Sequence, residues 1–560
     1  MRNALSCFAL AACLVAVAPL VGGQTPPTTP TFKSRADLVL VPVIVRDKHG
    51  NHVPGLTAKD FVLRKDREAQ RIASVEEITA DTTTPLPVMM PESVFTNQFS
   101  SPQQAKELVI IALDLINTPQ LDLDTARKAA LKYLATQIRP NQLVGLVTIE
   151  RGRVRLLHTF TTSPVVLNAA LQRATESTTA AIVAGSASQV LSRAEEEKVQ
   201  TEAAGIAGMI AQAHAQMDTA IARVNTGRLE LDVKATLDSL QHIAMWVAGL
   251  PGRKVLIWIT GDIPFITNQG NVVLARVTQE DYGRAMQALA DANVAVYPVD
   301  VRGLLNYDFA ANSSVYLGPG SDVFDRMMRG GINGPTDLPS NHFVFNDFAD
   351  VTGGKAFYNN NDIAKLLERA AADSTRYYML SFYLDRNNLK PGWHKIEVTV
   401  KRTNATTRAR KGFFVPNGKE DTLALRQANE NLAIASPFEY TGLPIIMKWK
   451  DAVASGATQK IAFEISIPPA AGLAGEDDRN ALDLDFLAVA TGADGSIAGR
   501  SSRTFRTVLK SEAQQKVKTY GVTYVGDLDL KPGEYAVRLV VRDNLTGRLG
   551  SITAPLKVAP

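Results

Sequence analysis

"ELVIIALDLINTP", residues 107–119, decides how this chain is read. A continuous apolar run follows Glu107, the pattern of a strand covered on both faces. The run stops at Asp114, and Asn117, Thr118 and Pro119 break the periodicity. An aspartate at the end of such a strand has two readings. It caps the turn that comes next, because its carboxylate bonds nearby backbone N–H groups. Alternatively it lines a ligand crevice, because open α/β sheets bind ligands at the carboxyl ends of their strands.

Downstream, apolar runs alternate with helical spacing. "DTARKAALKYLATQI" reads as a helix, "LVGLVTIE" and "RVRLLHTF" as strands, and "PVVLNAALQRA" as a helix. "RKVLIWIT" is a second buried strand, "DYGRAMQALADA" a helix and "NVAVYPVDV" a third such strand. "KAFYN" and "DIAKLLERAAADS" add a strand and a helix. This alternation predicts an α/β fold, with a doubly wound, mostly parallel sheet over 105–376. A stretch rich in Ala, Glu and Gln, about 177–248, predicts two long helices standing off the sheet.

The flanks alternate apolar and polar residues, as strands with one wet face do. Residues 33–80 form a small β unit, and 377–416 supply strands that pair with it. The α/β domain is thus inserted between β segments. Residues 81–104 and 417–433 read as linkers, and 434–560 as an Ig-like β-sandwich. At the start, "MRNALSCFALAACLVAVAPLVGG", residues 1–23, has the form of a secretory signal, with a Pro/Thr-rich linker after it over 24–32. Export to the periplasm or the outside is the expectation. Both cysteines, Cys7 and Cys13, fall within that signal, so disulfides and thiolate ligands are excluded from the rest of the chain. No second run is long and apolar enough for a transmembrane segment. The formal net charge of +4 over 560 residues comes with no long basic run, which argues against nucleic acid as a partner.

Asp262 and Asp300 end the other two buried strands, so three acids stand where a crevice would form. No Gly-x-Ser-x-Gly elbow, His-Glu-x-x-His pair or phosphate loop accompanies them, and the chain is not expected to be an enzyme. His49 and His52 sit three apart in a hairpin turn without the further ligands that zinc needs. Glu476, Asp477 and Asp478 read as a solvated acidic loop.

Several stretches, taken in order, resemble von Willebrand factor A (VWA) domain proteins, and in particular the exported VWA-related family typical of Acidobacteria. They are "VRDKHGNHVPGLTAKDF", "ALDLINTP", "AGLPGRKVLIWITGD", "VAVYPVDVRGL", "ADVTGGKAFYNNNDI", "YYMLSFY", "RARKGFFVP" and "LKPGEYAVRLVVRDNLTGRLGS". The resemblance implies a Rossmann-like domain that binds a partner through Mg²⁺, or Mn²⁺, at the top of its sheet. The family's pattern is Asp-x-Ser-x-Ser, a later Thr and a later Asp. Asp114 matches the first position, Thr118 the second hydroxyl, Thr236 in "TLDSL" the later Thr, and Asp262 the later Asp, one place late. Ile116 stands at the first Ser position and offers no oxygen, so the implied site is degenerate and its metal weakly held. The function implied is an exported binding module for a protein or cell-surface ligand. The alternatives are a structural envelope component with a vestigial site and, ranking lower, a metal-dependent hydrolase.

Overall fold

The computed structural model describes residues 36–79, 94–98, 107–139, 142–151, 153–173, 230–261, 279–304, 341–373, 375–385, 389–415, 423–455, 458–473 and 481–559. Their strands form five sheets, four of them antiparallel throughout. Parallel pairing is confined to one sheet, and even there one edge is antiparallel. The expected fold class is therefore corrected. The chain is a β-rich, multi-sheet protein and not a doubly wound parallel α/β fold of Rossmann-like or VWA type. Strand–helix alternation between 107 and 372 set that expectation, but most strands lie outside this span, where hairpins and long-range antiparallel pairs organise them.

The N-terminal sandwich draws on both ends of the chain's first three-quarters. Strand β1 (Ala36–Asp47) pairs antiparallel with β11 (Arg376–Asp385) and β13 (Ala405–Ala409). Strand β2 (Phe61–Lys65) pairs with β12 (Gly392–Val400). Strand β4 (Ile72–Thr79) extends the first of these sheets, and β3 (Glu68–Gln70) and β14 (Gly412–Val415) extend the second. Alternation sorts the side chains of β1. Val41, Val43 and Val45 enter the core with Tyr378, Leu380 and Phe382, while Leu38, Leu40, Ile44 and Arg46 take the outer face.

The central sheet is built from β6 (Glu107–Asp114), β7 (Gln142–Glu150), β8 (Arg153–Thr161), β9 (Lys254–Thr260) and β10 (Val294–Asp300). Their order is β10-β9-β6-β7-β8. Every residue of β6, β9 and β10 is buried, which is why their sequences are apolar without alternation. Val109, Ile111 and Leu113 of β6 pack on the helices Gln120–Thr136 and Ile363–Ala372. Leu108, Ile110 and Ala112 pack on the other side, against a helix over 230–247 and the helix Asn341–Thr352. Val233, Leu237, Leu240, Ile243 and Val247 of the 230–247 helix are all buried. The expectation of an arm standing off the sheet is thus corrected for these residues; 177–229 lie outside the described residues.

One sheet of the C-terminal sandwich contains β15 (Ile446–Ser455), β16 (Thr458–Ile467) and β19 (Val522–Leu530). The other contains β17 (Ala481–Gly492), β18 (Ile497–Val508), β20 (Gly533–Asp543) and β21 (Leu549–Val558). An edge strand, β5 (Val94–Thr96), pairs with β15 and lies within the stretch expected to be a linker. Asn97 anchors that strand. Its amide donates to the carbonyls of Tyr440 and Leu443 at 2.7 and 2.8 Å and accepts from the Ile445 N–H at 2.9 Å. This sandwich is not separate from the central sheet either. Phe438, Tyr440, Leu487, Val540 and Leu549 share one apolar core with the 230–247 helix.

Candidate functional site

Asp114 stands at the end of β6 and is fully buried. Its Oδ1 accepts the backbone N–H of Ile116 at 2.9 Å and of Asn117 at 3.0 Å, closing the turn. Its Oδ2 accepts the Asn117 side-chain amide at 2.7 Å, the Trp258 indole N–H at 3.0 Å and the Thr260 hydroxyl at 3.1 Å. Burial pushes the carboxyl up, while hydrogen bonds from Asn117, Ile116 and Thr260 oppose it.

Thr118 and Thr236, two of the other implied ligands, are also engaged. Thr118 Oγ1 accepts the Gly261 N–H at 3.1 Å. Thr236 Oγ1 accepts the Asn117 amide at 2.9 Å and donates to the Asp232 carbonyl at 2.8 Å. Asp262 lies outside the described residues. Asn117 therefore bridges two of the implied ligands, Asp114 and Thr236, by donating to both. A hard dication needs oxygens with lone pairs to give, and here N–H and O–H donors already point at them. So bonded, Asp114 does not fit a metal, and Thr118 and Thr236 each already accept a donor. Among the described residues no group of three or more His, Cys, Asp or Glu side chains is placed to hold one.

Asp300 ends β10 but does not join Asp114 in a common acidic crevice. Arg302 folds back on it, with its N–H at 3.0 Å, Nε at 2.9 Å and Nη2 at 2.7 Å from the carboxylate. His342 approaches to 3.4 Å and stacks on Tyr358 with ring centroids 4.0 Å apart. Burial acts to raise the Asp300 carboxyl, but His342 and Arg302 outweigh it and hold it below its ordinary value. His52 bonds Glu77 at 2.8 Å and stacks on Tyr378, a role in the sandwich. Glu476, Asp477 and Asp478 lie outside the described residues.

Sequence reasoning missed Asn117, Trp258 and Thr260 as partners of Asp114. Asn117 carried a local signal, an Asn three residues after an Asp in a turn. Trp258 and Thr260 carried none, since they reach Asp114 across a strand pair far apart in sequence.

No known protein family and no curated protein matches the sequence. Solved structures show slight likenesses. A pilus adhesin, SpaC from Lactobacillus rhamnosus GG, is 9% identical over 89% of this chain and 57% of its own, with a TM-score of 0.22. The TFIIH p34 N-terminal domain is 11% identical over 47% of this chain and 97% of its own, at 0.20. A putative beta-galactosidase from Bacteroides fragilis is 18% identical over 20% of this chain and 16% of its own, at 0.15. Likenesses this slight carry no argument about fold or function.

Proposed function

We propose that the protein is an exported binding module that docks a protein or cell-surface ligand on the outer face of its N-terminal sandwich. One observation carries this reading. Leu38 and Tyr383 face each other across the β1–β11 pair, and Leu40 follows on the same face. Their exposures are 51%, 63% and 45%. Further along this face Ile44 and Tyr377 are buried, as are their core-facing neighbours. An apolar cluster left open beside a covered one marks a surface that a partner can cover, at about 25 cal/mol per Å² removed from water. The apolar N-terminal run supports export as part of the proposal. Among the described residues no helix is long and apolar enough to cross a membrane.

The test is retention of the labelled full chain on intact cells of the organism that produces it. Saturable retention is expected for the natural sequence. Replacing Leu40→Glu and Tyr383→Glu together should abolish it without moving the melting temperature, because both side chains are exposed. Retention that never saturates, or that survives the double substitution, overturns the reading.

A further inference from the structure

The outer face of β1 ends in a cationic seam against the central sheet. Arg46 and Arg408 occupy this face on paired strands. Both reach Asp373, which follows the helix Ile363–Ala372; Arg46 Nη2 lies 2.8 Å from its Oδ1, and Arg408 bonds its Oδ2. Asp373 Oδ2 also accepts the Tyr297 hydroxyl at 2.8 Å, so this carboxylate is fully engaged. Beside it, Lys355 and Arg369 hold their charges 5.7 and 5.6 Å from the centre of the Phe357 ring. Among the described residues neither meets a carboxylate. The next acid, Asp350, is taken by Lys411.

We infer that this seam is a binding site for a compact dianion, a phosphate or sulfate group. Arg46 and Arg408 share one carboxylate, and Lys355 and Arg369 beside them have none of their own among the described residues. A tetrahedral dianion matches that charge and accepts donors from several directions at once. The Phe357 ring prepositions both cations, which lowers the ordering cost of binding. Partial desolvation of its amine, then the like charges of Arg408, Arg369 and Arg46, draw the Lys355 pKa below its ordinary value, which a bound anion would offset. The helix that ends at Ala372 opposes an anion with its C-terminal dipole. That effect is weaker than the charge-assisted hydrogen bonds the cations supply.

This inference goes beyond the proposed docking face and rests on other residues, so either can fail alone. The test is calorimetric titration of the full chain with inorganic phosphate and with sulfate, against sodium chloride at equal ionic strength. Saturable binding of both oxyanions is expected, with none of chloride. Lys355→Gln with Arg369→Gln should weaken it by roughly tenfold or more. Arg369→Lys should keep part of it, and Lys557→Gln, on β21 of the C-terminal sandwich, all of it. Equal heats from chloride, or unchanged binding in the double variant, overturn the inference. Melting curves confirm that each variant is folded, which is expected because Lys355 and Arg369 are both exposed.

Discussion

The central sheet meets its two sandwiches through junctions of opposite chemistry. Toward the C-terminal sandwich the contact is apolar. Trp246 stacks between Phe160 at 4.8 Å and Phe438 at 4.9 Å, and one core runs through both bodies. Gly249 is held so close to Thr441 that an added Cβ would sit 1.8 Å from its carbonyl oxygen. Its N–H donates to the Thr441 hydroxyl, which in turn donates to the Trp246 carbonyl. Toward the N-terminal sandwich the contact is polar. Arg253 donates to the Tyr297 hydroxyl at 3.0 Å and to the Gly353 carbonyl at 2.7 Å, and its own N–H donates to the Tyr377 hydroxyl. Asp373 gathers Arg46, Arg408 and Tyr297 around one carboxylate. An apolar junction depends on area and fit and is indifferent to salt. A charged one depends on each partner being present, because a buried charge that loses its partner is penalised.

That contrast is most easily broken at Trp246. Trp246→Ala should cost about 3–5 kcal/mol, the range for removing a large buried aromatic. Chemical denaturation should show the C-terminal sandwich and the central sheet losing stability together. Two separate transitions, with the sandwich unaffected, would mean that the shared core is not energetically shared.

At the polar junction, Asp373→Ala should cost about 2 kcal/mol, reduced from the buried-pair range because Arg46 is partly open to solvent. The loss should shrink as sodium chloride is raised, since chloride screens the stranded arginines. Trp246→Ala should show no such salt dependence. If both variants respond to salt alike, the two junctions do not differ in the way described.

Lys254 gives the smallest effect at neutral pH and sharpens the comparison. It is buried where the 230–247 helix hands over to β9, and its ammonium donates to the Leu250 and Gly252 carbonyls. Burial lowers its pKa to about 7. In the unfolded chain the group keeps its proton to about pH 10.4. Between these values the unfolded state binds more protons, so stability should rise with pH from about 7 upward. Lys254→Met should remove that rise, as denaturation curves at several pH values would reveal. A slope unchanged by the substitution would assign the pH dependence to other groups.

The run at 107–114 shows how much the sequence determined alone. Its unbroken apolar character predicted a strand covered on both faces, and of the two readings of the acid at its end the turn bonds are present in the fold. Residues 38–45 of β1 are apolar at every position, so only the fold sorted Val41, Val43 and Val45 into the core and left Leu38 and Leu40 outside. Tertiary structure decided the rest, because sheet membership is a choice among distant partners of similar local pattern. Strand–helix alternation suggested one dominant parallel sheet, yet antiparallel pairs at long range made the chain chiefly β. Three residues, Val94–Thr96, carried no pattern of their own and became a strand only because β15 offered an open edge. Asp114 was legible as a strand-end acid. Its partners Trp258 and Thr260 were not, because only the folded sheet brings them within hydrogen-bonding distance.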